Sequence, residues 1–259
     1  GTDSVRFHPG VSYRHICVIK DRMGMRGLSA ACDAPHNIMS GTVEAHCPQG
    51  PGDGLLKKIM TDAKLLLQEH EINHVRVDLK ENPANMIWLW GQGVMPNLPS
   101  FQEKFGLKGA LISAVDLLRG IARLARLDVI EVPGITGYLD TNYEGKAQYG
   151  LEALKTHDFV FIHVEATDEA GHEGNIKAKI QALEDFDRFI VGAVRKYCEK
   201  NPDTRVLVSP DHPTSCRLRT HLKGAVPFVL YGKGIEANGV ELYNEVQARA
   251  SDIRFDEGH

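Results

Sequence analysis

The chain has 259 residues, of which 42% are hydrophobic and 25% charged, a composition typical of a folded globular protein. The formal net charge of -4 argues against a general nucleic-acid binder, because such proteins need a basic face to displace counterions from phosphates. No apolar run reaches the roughly 18 residues of a membrane span. We therefore expect a cytoplasmic protein with no nucleic-acid or membrane partner.

Residues 1–97 are predicted to form a small α+β domain. Helical periodicity covers residues 54–70, and an alternation of polar and apolar residues predicts a short strand at residues 73–79. On such a strand His74 and Arg76 would share one face. They are candidate substrate-binding residues, although a surface role is the better explanation of this pair.

From residue 98 onward, apolar runs alternate with helical stretches, which predicts β-α-β units and a parallel sheet covered by helices. The predicted strands cover residues 109–115, 128–132, 158–164, 205–209 and 226–231. The predicted helices cover residues 116–127 and 176–200. In the second helix, one face collects the apolar side chains of Ile176, Ile180, Leu183, Phe189 and Val194. We therefore expect residues 98–259 to form part of a three-layer α/β domain.

Metal-binding side chains follow two of the predicted strands. Asp168 and His172 follow one strand, Asp211 and His212 follow another, and His221 comes shortly afterwards. The carboxyl ends of strands in open α/β sheets are the usual place for a ligand site. Mixed imidazole and carboxylate ligands suit Zn²⁺ or Mn²⁺, and carboxylate-rich sets also suit Mg²⁺. Each motif alone is better explained by turn capping or exposed histidines, but together they predict a pair of divalent ions.

Three further residues are candidates for contact with an anionic substrate. Arg14 and His15 could bind a phosphate or carboxylate, and a surface pair is an equally good explanation. Lys146 follows a predicted loop where its charge could offset a phosphate during catalysis; the alternative is a solvated lysine at a helix start. The sequence has no glycine-rich phosphate loop before a helix, so no nucleotide cofactor is expected.

Several longer segments carry a family resemblance. They are FHPGVSYRH at residues 7–15, PANMIWLWGQG at 83–93, GYLDTNYEGK at 137–146, HVEATDEAGH at 163–172, DHPT at 211–214, RTH at 219–221 and VPF at 226–228. Together they resemble the archaeal-type branch of cofactor-independent phosphoglycerate mutase, in the alkaline phosphatase superfamily. The resemblance implies a three-layer phosphatase-like α/β domain, with residues 1–97 as an inserted domain that holds the substrate and residues 98–259 as the C-terminal portion of the metal-binding domain.

The resemblance also implies a reaction and a set of roles. The family interconverts 2- and 3-phosphoglycerate in glycolysis through a phospho-serine, with two divalent ions (Mn²⁺, Zn²⁺ or Mg²⁺). Asp168, His172 and His221 would bind one ion, and Asp211 and His212 would help to bind the other.

The nucleophile is the main departure from the family. No serine lies in a matching context; those considered are Ser4, Ser12, Ser29, Ser40, Ser100, Ser113, Ser209, Ser215 and Ser251. We therefore expect a truncated chain that is inactive alone. The alternatives are another phosphotransferase or phosphatase of the same superfamily, or a non-catalytic metal-binding remnant that self-associates through an exposed sheet edge.

Overall fold

The computed structural model describes residues 2–10, 14–20, 29–35, 38 and 42–255. The chain divides into two compact units, Gly1–Met95 and Pro96–His259. The role of the first unit as an inserted, substrate-holding domain stays a prediction. Among the described residues, no helix has the length and apolar character needed to cross a membrane.

Among its described residues, the first unit contains a β-hairpin and three helices. Strands β1 (Val5–Pro9) and β2 (His15–Ile19) pair antiparallel. The helices are α1 (Val43–His46), α2 (Asp53–Gln68) and α3 (Glu71–Asp78). The long helix α2 matches the periodicity of the sequence closely.

The strand predicted for residues 73–79 is wrong, because most of this segment belongs to α3. His70 caps the helix by accepting a hydrogen bond of 3.2 Å from a backbone N–H of the first turn. Asn73 is buried, and its amide donates to the carbonyls of Leu67 at 2.7 Å and Ala84 at 2.8 Å. The His70 cap and the hydrogen bonds of buried Asn73 favour a helix here, although the β-branched residues of this segment prefer strands.

The second unit is built around a three-stranded sheet with the strand order β4 (Asp128–Val129), β3 (Gly109–Ile112), β5 (Phe159–Ile162), in which both pairings are parallel. Its elements up to the third strand of this sheet are α4 (Phe101–Phe105), β3 (Gly109–Ile112), α5 (Asp116–Leu124), β4 (Asp128–Val129), α6 (Tyr143–Ala153) and β5 (Phe159–Ile162). Every residue of β3 is buried, as expected for the central strand of a covered parallel sheet.

A helical layer and two short antiparallel pairs follow. The helical elements are α7 (Ala166–Glu173), α8 (Ile176–Asp185), a π-helical turn (Phe186–Val191) and α9 (Gly192–Lys200); the remaining elements are β6 (Arg205–Val208), β7 (Thr214–Ser215), β8 (Thr220–His221), β9 (Val229–Gly232) and α10 (Glu245–Ala250). β6 pairs with β9, and β7 with β8. Since no helix connects β6 to β9, the chain can return directly and pair antiparallel.

The predicted apolar face of residues 176–200 is only partly buried. Ile176, Ile180 and Leu183 are exposed, whereas Phe189 and Val194 pack against the core. α8 instead buries Ala178 and Ala182, whose small side chains allow close approach. The π-helical turn has a different number of residues per turn, so it shifts the face that points inward.

Candidate metal centre

Three of the predicted ligands converge in the second unit. Asp168 and His172 lie one turn apart on α7, and His221 lies on β8. The Nε2 atom of His172 is 3.4 Å from Oδ2 of Asp168, and the Nε2 atom of His221 is 3.3 Å from Oδ1 of the same carboxylate. The two Nε2 atoms are 2.9 Å apart. One ligand atom from each residue thus faces a common point.

These spacings fit a bound divalent cation. A tetrahedral ion with ligands at 2.0–2.1 Å places neighbouring ligand atoms about 3.3 Å apart. His172 donates from Nδ1 to the carbonyl of Arg219 at 3.1 Å, so its neutral ring carries a lone pair on Nε2. The resulting arrangement of a carboxylate and imidazole lone pair is suited to a cation. The role of these residues as metal ligands stays a prediction.

The backbone of Arg219 is adapted to this contact. Its φ of 55° is left-handed, a conformation that costs energy for a residue with a side chain and that concentrates at functional sites. The same residue lies against Gly174, which ends α7 with a φ of 71°. A Cβ atom at Gly174 would lie 3.0 Å from the carbonyl oxygen of Cys216 and 2.8 Å from Nε of Arg219, and the positive φ also favours glycine at this position.

The second predicted ligand pair lies beside this cluster. The rings of His212 and His221 are 3.9 Å apart between centroids, and Nε2 of His212 is 3.2 Å from Oδ2 of Asp211. In the part of the chain that the structure describes, Asp211 does not join the convergent group of Asp168, His172 and His221.

Lys146 has a different environment from the one expected for a solvated lysine, and that alternative is wrong. Lys146 is only 1% exposed, and its Nζ donates to the carbonyl of His163 at 2.9 Å. Burial lowers the pKa of Lys146 to about 8, with the charge of Glu165 acting in the opposite direction. The first turn of α6 thus places a buried amine against the carbonyl of His163, the residue that follows β5.

His163 and Ser113 complete this buried centre, and neither was singled out as a site residue from the sequence. Nδ1 of His163 lies 3.2 Å from Oγ of Ser113, which is fully buried. Burial, and then the nearby charge of Lys146, lower the pKa of His163, while Asp211 and Asp168 act to raise it. The sequence signal that could have identified His163 is its position at the start of the family-like segment 163–172.

The predicted substrate-binding residues all lie in the first unit. Arg14 and His15 are exposed, and Nδ1 of His15 accepts a hydrogen bond of 3.1 Å from the N–H of Gly10. His74 and Arg76 do not share a face, because residues two apart on a helix point in different directions. The strand argument for this pair is therefore wrong, and the binding role of all these residues stays a prediction.

Arg76 already has a structural contact in this unit. Its Nε donates to the carbonyl of Asn82 at 2.7 Å, just beyond the end of α3.

Of the serines considered from the sequence, Ser12 and Ser40 lie outside the described residues.

The sequence model of the Metalloenzyme superfamily matches residues 17–253. The chain therefore belongs to this superfamily. This membership, together with the clustered side chains of Asp168, His172 and His221, supports the binding of divalent metal.

Within the superfamily, the chain is similar to phosphoglycerate mutases. It is 48% identical over 259 residues to a probable 2,3-bisphosphoglycerate-independent phosphoglycerate mutase of Geobacter sulfurreducens, covering 100% of this chain and 64% of the relative. It is 47% identical over 246 residues to the 2,3-bisphosphoglycerate-independent phosphoglycerate mutase of Methanosarcina acetivorans, covering 94% of this chain and 61% of the relative. The chain thus spans less than two thirds of the length of these relatives.

A solved structure gives the same relationship. The cofactor-independent phosphoglycerate mutase from Thermoplasma acidophilum superposes with a TM-score of 0.58 at 25% identity, covering 98% of this chain and 63% of that one. The family resemblance and the phosphatase-like α/β fold expected from the sequence are confirmed.

Proposed function

We propose that the chain is the metal-binding portion of a phosphoglycerate mutase that interconverts 2- and 3-phosphoglycerate. The observation that carries this proposal is the convergence of Asp168, His172 and His221, with ligand-atom spacings of 2.9 to 3.4 Å. The close relatives named as mutases supply the substrate class.

Two divalent ions, drawn from Mn²⁺, Zn²⁺ and Mg²⁺, would hold the transferring phosphoryl oxygens and offset their charge. Asp168, His172 and His221 would hold one ion, and Asp211 and His212 would contribute to the other. The phosphoryl group would rest on a serine between the two half-reactions. We place that serine in the part of the relatives that this chain does not match, because no serine here has the family context.

Lys146 would contribute charge from behind the site. Because the residue is 1% exposed, we assign it electrostatic compensation rather than direct contact with the substrate. Its position against the His163 carbonyl directs the positive charge toward the end of β5, where phosphoryl charge would accumulate.

Arg14, His15, His74 and Arg76 would hold the glycerate carboxylate or phosphate from the first unit. The exposure of Arg14 and His15 supports this role, since both side chains are accessible. Arg76 is the weakest member of the set, because its Nε already bonds to the carbonyl of Asn82.

Phosphorus NMR with 3-phosphoglycerate and excess Mg²⁺ or Zn²⁺ tests the proposal. We expect metal-dependent binding, seen as broadening or shift of the substrate signal, that is lost in Asp168→Asn. Formation of 2-phosphoglycerate would place the nucleophile within this chain and contradict the serine assignment. Release of inorganic phosphate would favour the phosphatase alternative, and a metal-loaded chain that leaves the substrate signal unchanged would overturn the proposed function.

A chimera separates the mutase from an ATP-dependent phosphotransferase of the same superfamily. Adding the unmatched part of the Geobacter sulfurreducens relative should give a phospho-serine after incubation with 3-phosphoglycerate and no ATP, detected by mass spectrometry. Phosphorylation that requires ATP would contradict the mutase assignment.

Self-association is a proposal about the partners of the chain. β5 is an end strand of its three-stranded sheet among the described residues, and Phe159 and Phe161 on it are exposed. Such an edge can pair with a second copy. Analytical ultracentrifugation should show a dimer that Phe161→Lys weakens, and a monomer at all concentrations would contradict the idea.

A further inference from the structure

A buried threonine lies between the two groups of predicted metal ligands. Thr214 begins β7 and pairs with His221 across the β7–β8 ladder. It is only 7% exposed, although threonine is a polar residue. A buried hydroxyl must find hydrogen-bond partners, so its contacts are informative.

The hydroxyl of Thr214 contacts one residue of each ligand group. It donates to Oδ1 of Asp168, and its oxygen lies 3.3 Å from Nδ1 of His212. A carboxylate only accepts hydrogen bonds, so the single hydroxyl proton goes to Asp168. The contact with His212 then requires a proton on Nδ1 of that ring.

This direction of bonding determines the state of His212. With the proton on Nδ1, the neutral ring presents its lone pair on Nε2. That atom lies 3.2 Å from Oδ2 of Asp211, close to the spacing of about 3.3 Å between ligands of one ion. Two acceptor atoms at this distance are suited to sharing a cation.

The position of Thr214 is itself held by two contacts. Nζ of Lys179 donates to the Thr214 carbonyl at 2.6 Å. On α7, a Cβ atom at Gly171 would lie 2.8 Å from Cγ2 of Thr214, so the absence of a side chain there allows the helix to close onto it. The helix that carries Asp168 is thereby packed directly against Thr214.

We propose that Thr214 is a positioning residue that orients the Asp168 carboxylate and fixes the tautomer of His212, and so couples the two metal positions. The proposal deepens the metal-binding function proposed above and depends on it for its consequence. Removing such an outer hydrogen-bond partner commonly weakens metal affinity about 10- to 100-fold.

The test compares three substitutions in the 259-residue chain. Thr214→Val keeps the shape and removes the hydroxyl, Thr214→Ser keeps the hydroxyl, and Thr220→Val makes the same chemical change at an exposed position on β8. Zn²⁺ affinity is measured by competition with a chromophoric chelator. We expect affinity lower by about 10- to 100-fold in Thr214→Val and near the original value in the other variants.

A second readout does not require metal. In the metal-free chain labelled with ¹⁵N-histidine, the His212 nitrogen shifts should report a proton on Nδ1, and this single tautomer should become mixed in Thr214→Val but remain in Thr214→Ser. Circular dichroism checks that each variant is folded. If Thr214→Val is unfolded, loss of affinity and loss of the single tautomer are sought in Thr214→Ala instead.

The outcomes separate the two proposals. A chain that binds no Zn²⁺ but shows the threonine-dependent tautomer would overturn the metal function and retain the positioning contact. A chain that binds Zn²⁺ equally well with and without the hydroxyl, and whose His212 tautomer is unchanged, would overturn the role of Thr214. Equal losses in Thr214→Val and Thr214→Ser would also overturn it, because they would point to packing.

Discussion

Two groups of polar side chains in the second unit satisfy their hydrogen-bonding atoms differently. One is the cluster of Asp168, His172 and His221, and the other is the buried centre of Lys146 and His163. In the buried centre, the Lys146 amine donates to the His163 carbonyl at 2.9 Å, so protein atoms partner each other. In the cluster, two imidazole nitrogens face each other at 2.9 Å beside a carboxylate. The cluster gathers acceptors, while the buried centre already contains a cation.

The difference is consistent with the proposed metal-binding role of the cluster and a supporting role for the buried centre. A cation on a side chain is best buried where backbone carbonyls can stabilise it, even though burial lowers its pKa. Acceptors that are to hold an external cation must instead remain within reach of solvent. Asp168 and His172 have side chains 26% and 37% exposed, which leaves such a path.

The largest expected effect is the loss of metal stabilisation in His172→Ala. At a metal concentration about 1,000 times the dissociation constant, a bound ion should raise the free energy of unfolding of the original chain by about 4 kcal/mol. The variant should lose most of this increase, because one of the convergent ligands is gone. Chemical denaturation with Zn²⁺ and with a chelator measures the difference.

His8→Ala is the matched control for this prediction, because His8 is an exposed histidine on β1 of the first unit. It should keep the full metal stabilisation. An original chain whose stability is the same with metal and with chelator would contradict the metal site.

The next largest effect concerns the pH dependence contributed by Lys146. Its pKa is lowered from 10.5 to about 8 in the folded chain, so between these values the unfolded state binds more protons and stability rises with pH. Relative to Lys146→Met, the original chain should gain up to about 3 kcal/mol across this window. The gain is complete above the unfolded pKa and is lost as pH falls through the folded pKa.

Urea denaturation of both proteins from neutral to alkaline pH measures this gain, since other groups titrate in both and cancel. Lys155→Met, at an exposed lysine just after α6, is the control and should show no such rise. A flat difference between the original chain and Lys146→Met would show that the amine is not desolvated.

A smaller effect tests the packing that supports the cluster. Gly171→Ala should destabilise the chain by about 1–3 kcal/mol, because the new Cβ would lie 2.8 Å from Thr214. Gly120→Ala on α5 meets nothing within 4 Å and should instead stabilise the chain by about 0.5–1 kcal/mol. Thermal denaturation compares them, and equal behaviour of the two variants would show that α7 does not depend on the missing side chain.

The smallest effect lies at the start of β4, in an ion pair with no proposed role in binding. A hydrogen bond from His157, 2.9 Å away, holds the pKa of Asp128 below its ordinary value. Because Asp128 is 59% exposed, Asp128→Asn should cost only about 0.5 kcal/mol at neutral pH. The stability difference between the original chain and Asp128→Asn should fade as pH is lowered through the folded pKa of Asp128. Urea denaturation at acidic pH measures it, and a difference that grows as pH falls would contradict the prediction.

Local patterns predicted much of the second unit. The apolar runs that predicted strands contain β3, β5 and β6, although of these three only β3 is buried at every residue. The same reasoning failed at α3, where a histidine cap and the buried Asn73 outweighed the alternating pattern. The predicted apolar face also failed along α8, because the π-helical turn that follows this helix shifts the inward face of the later residues.

The candidate site shows the same limit. Asp168, His172 and His221 could be named because their side chains are typical ligands placed after predicted strands. Thr214 could not, since a threonine becomes informative only through what it contacts. The contact of Thr214 with Asp168 joins residues 46 positions apart, which no local pattern contains.

The sequence by itself determined the helices and strands with strong periodicity, the family, and the side chains able to hold metal. Only the tertiary structure decided that the β7–β8 hairpin returns His221 to the helix of Asp168, that Lys146 is buried, and that one hydroxyl joins the two ligand groups. The physical reason is that periodicity and residue chemistry act over neighbouring residues, whereas burial and ligand spacing depend on segments that meet only when the chain has packed.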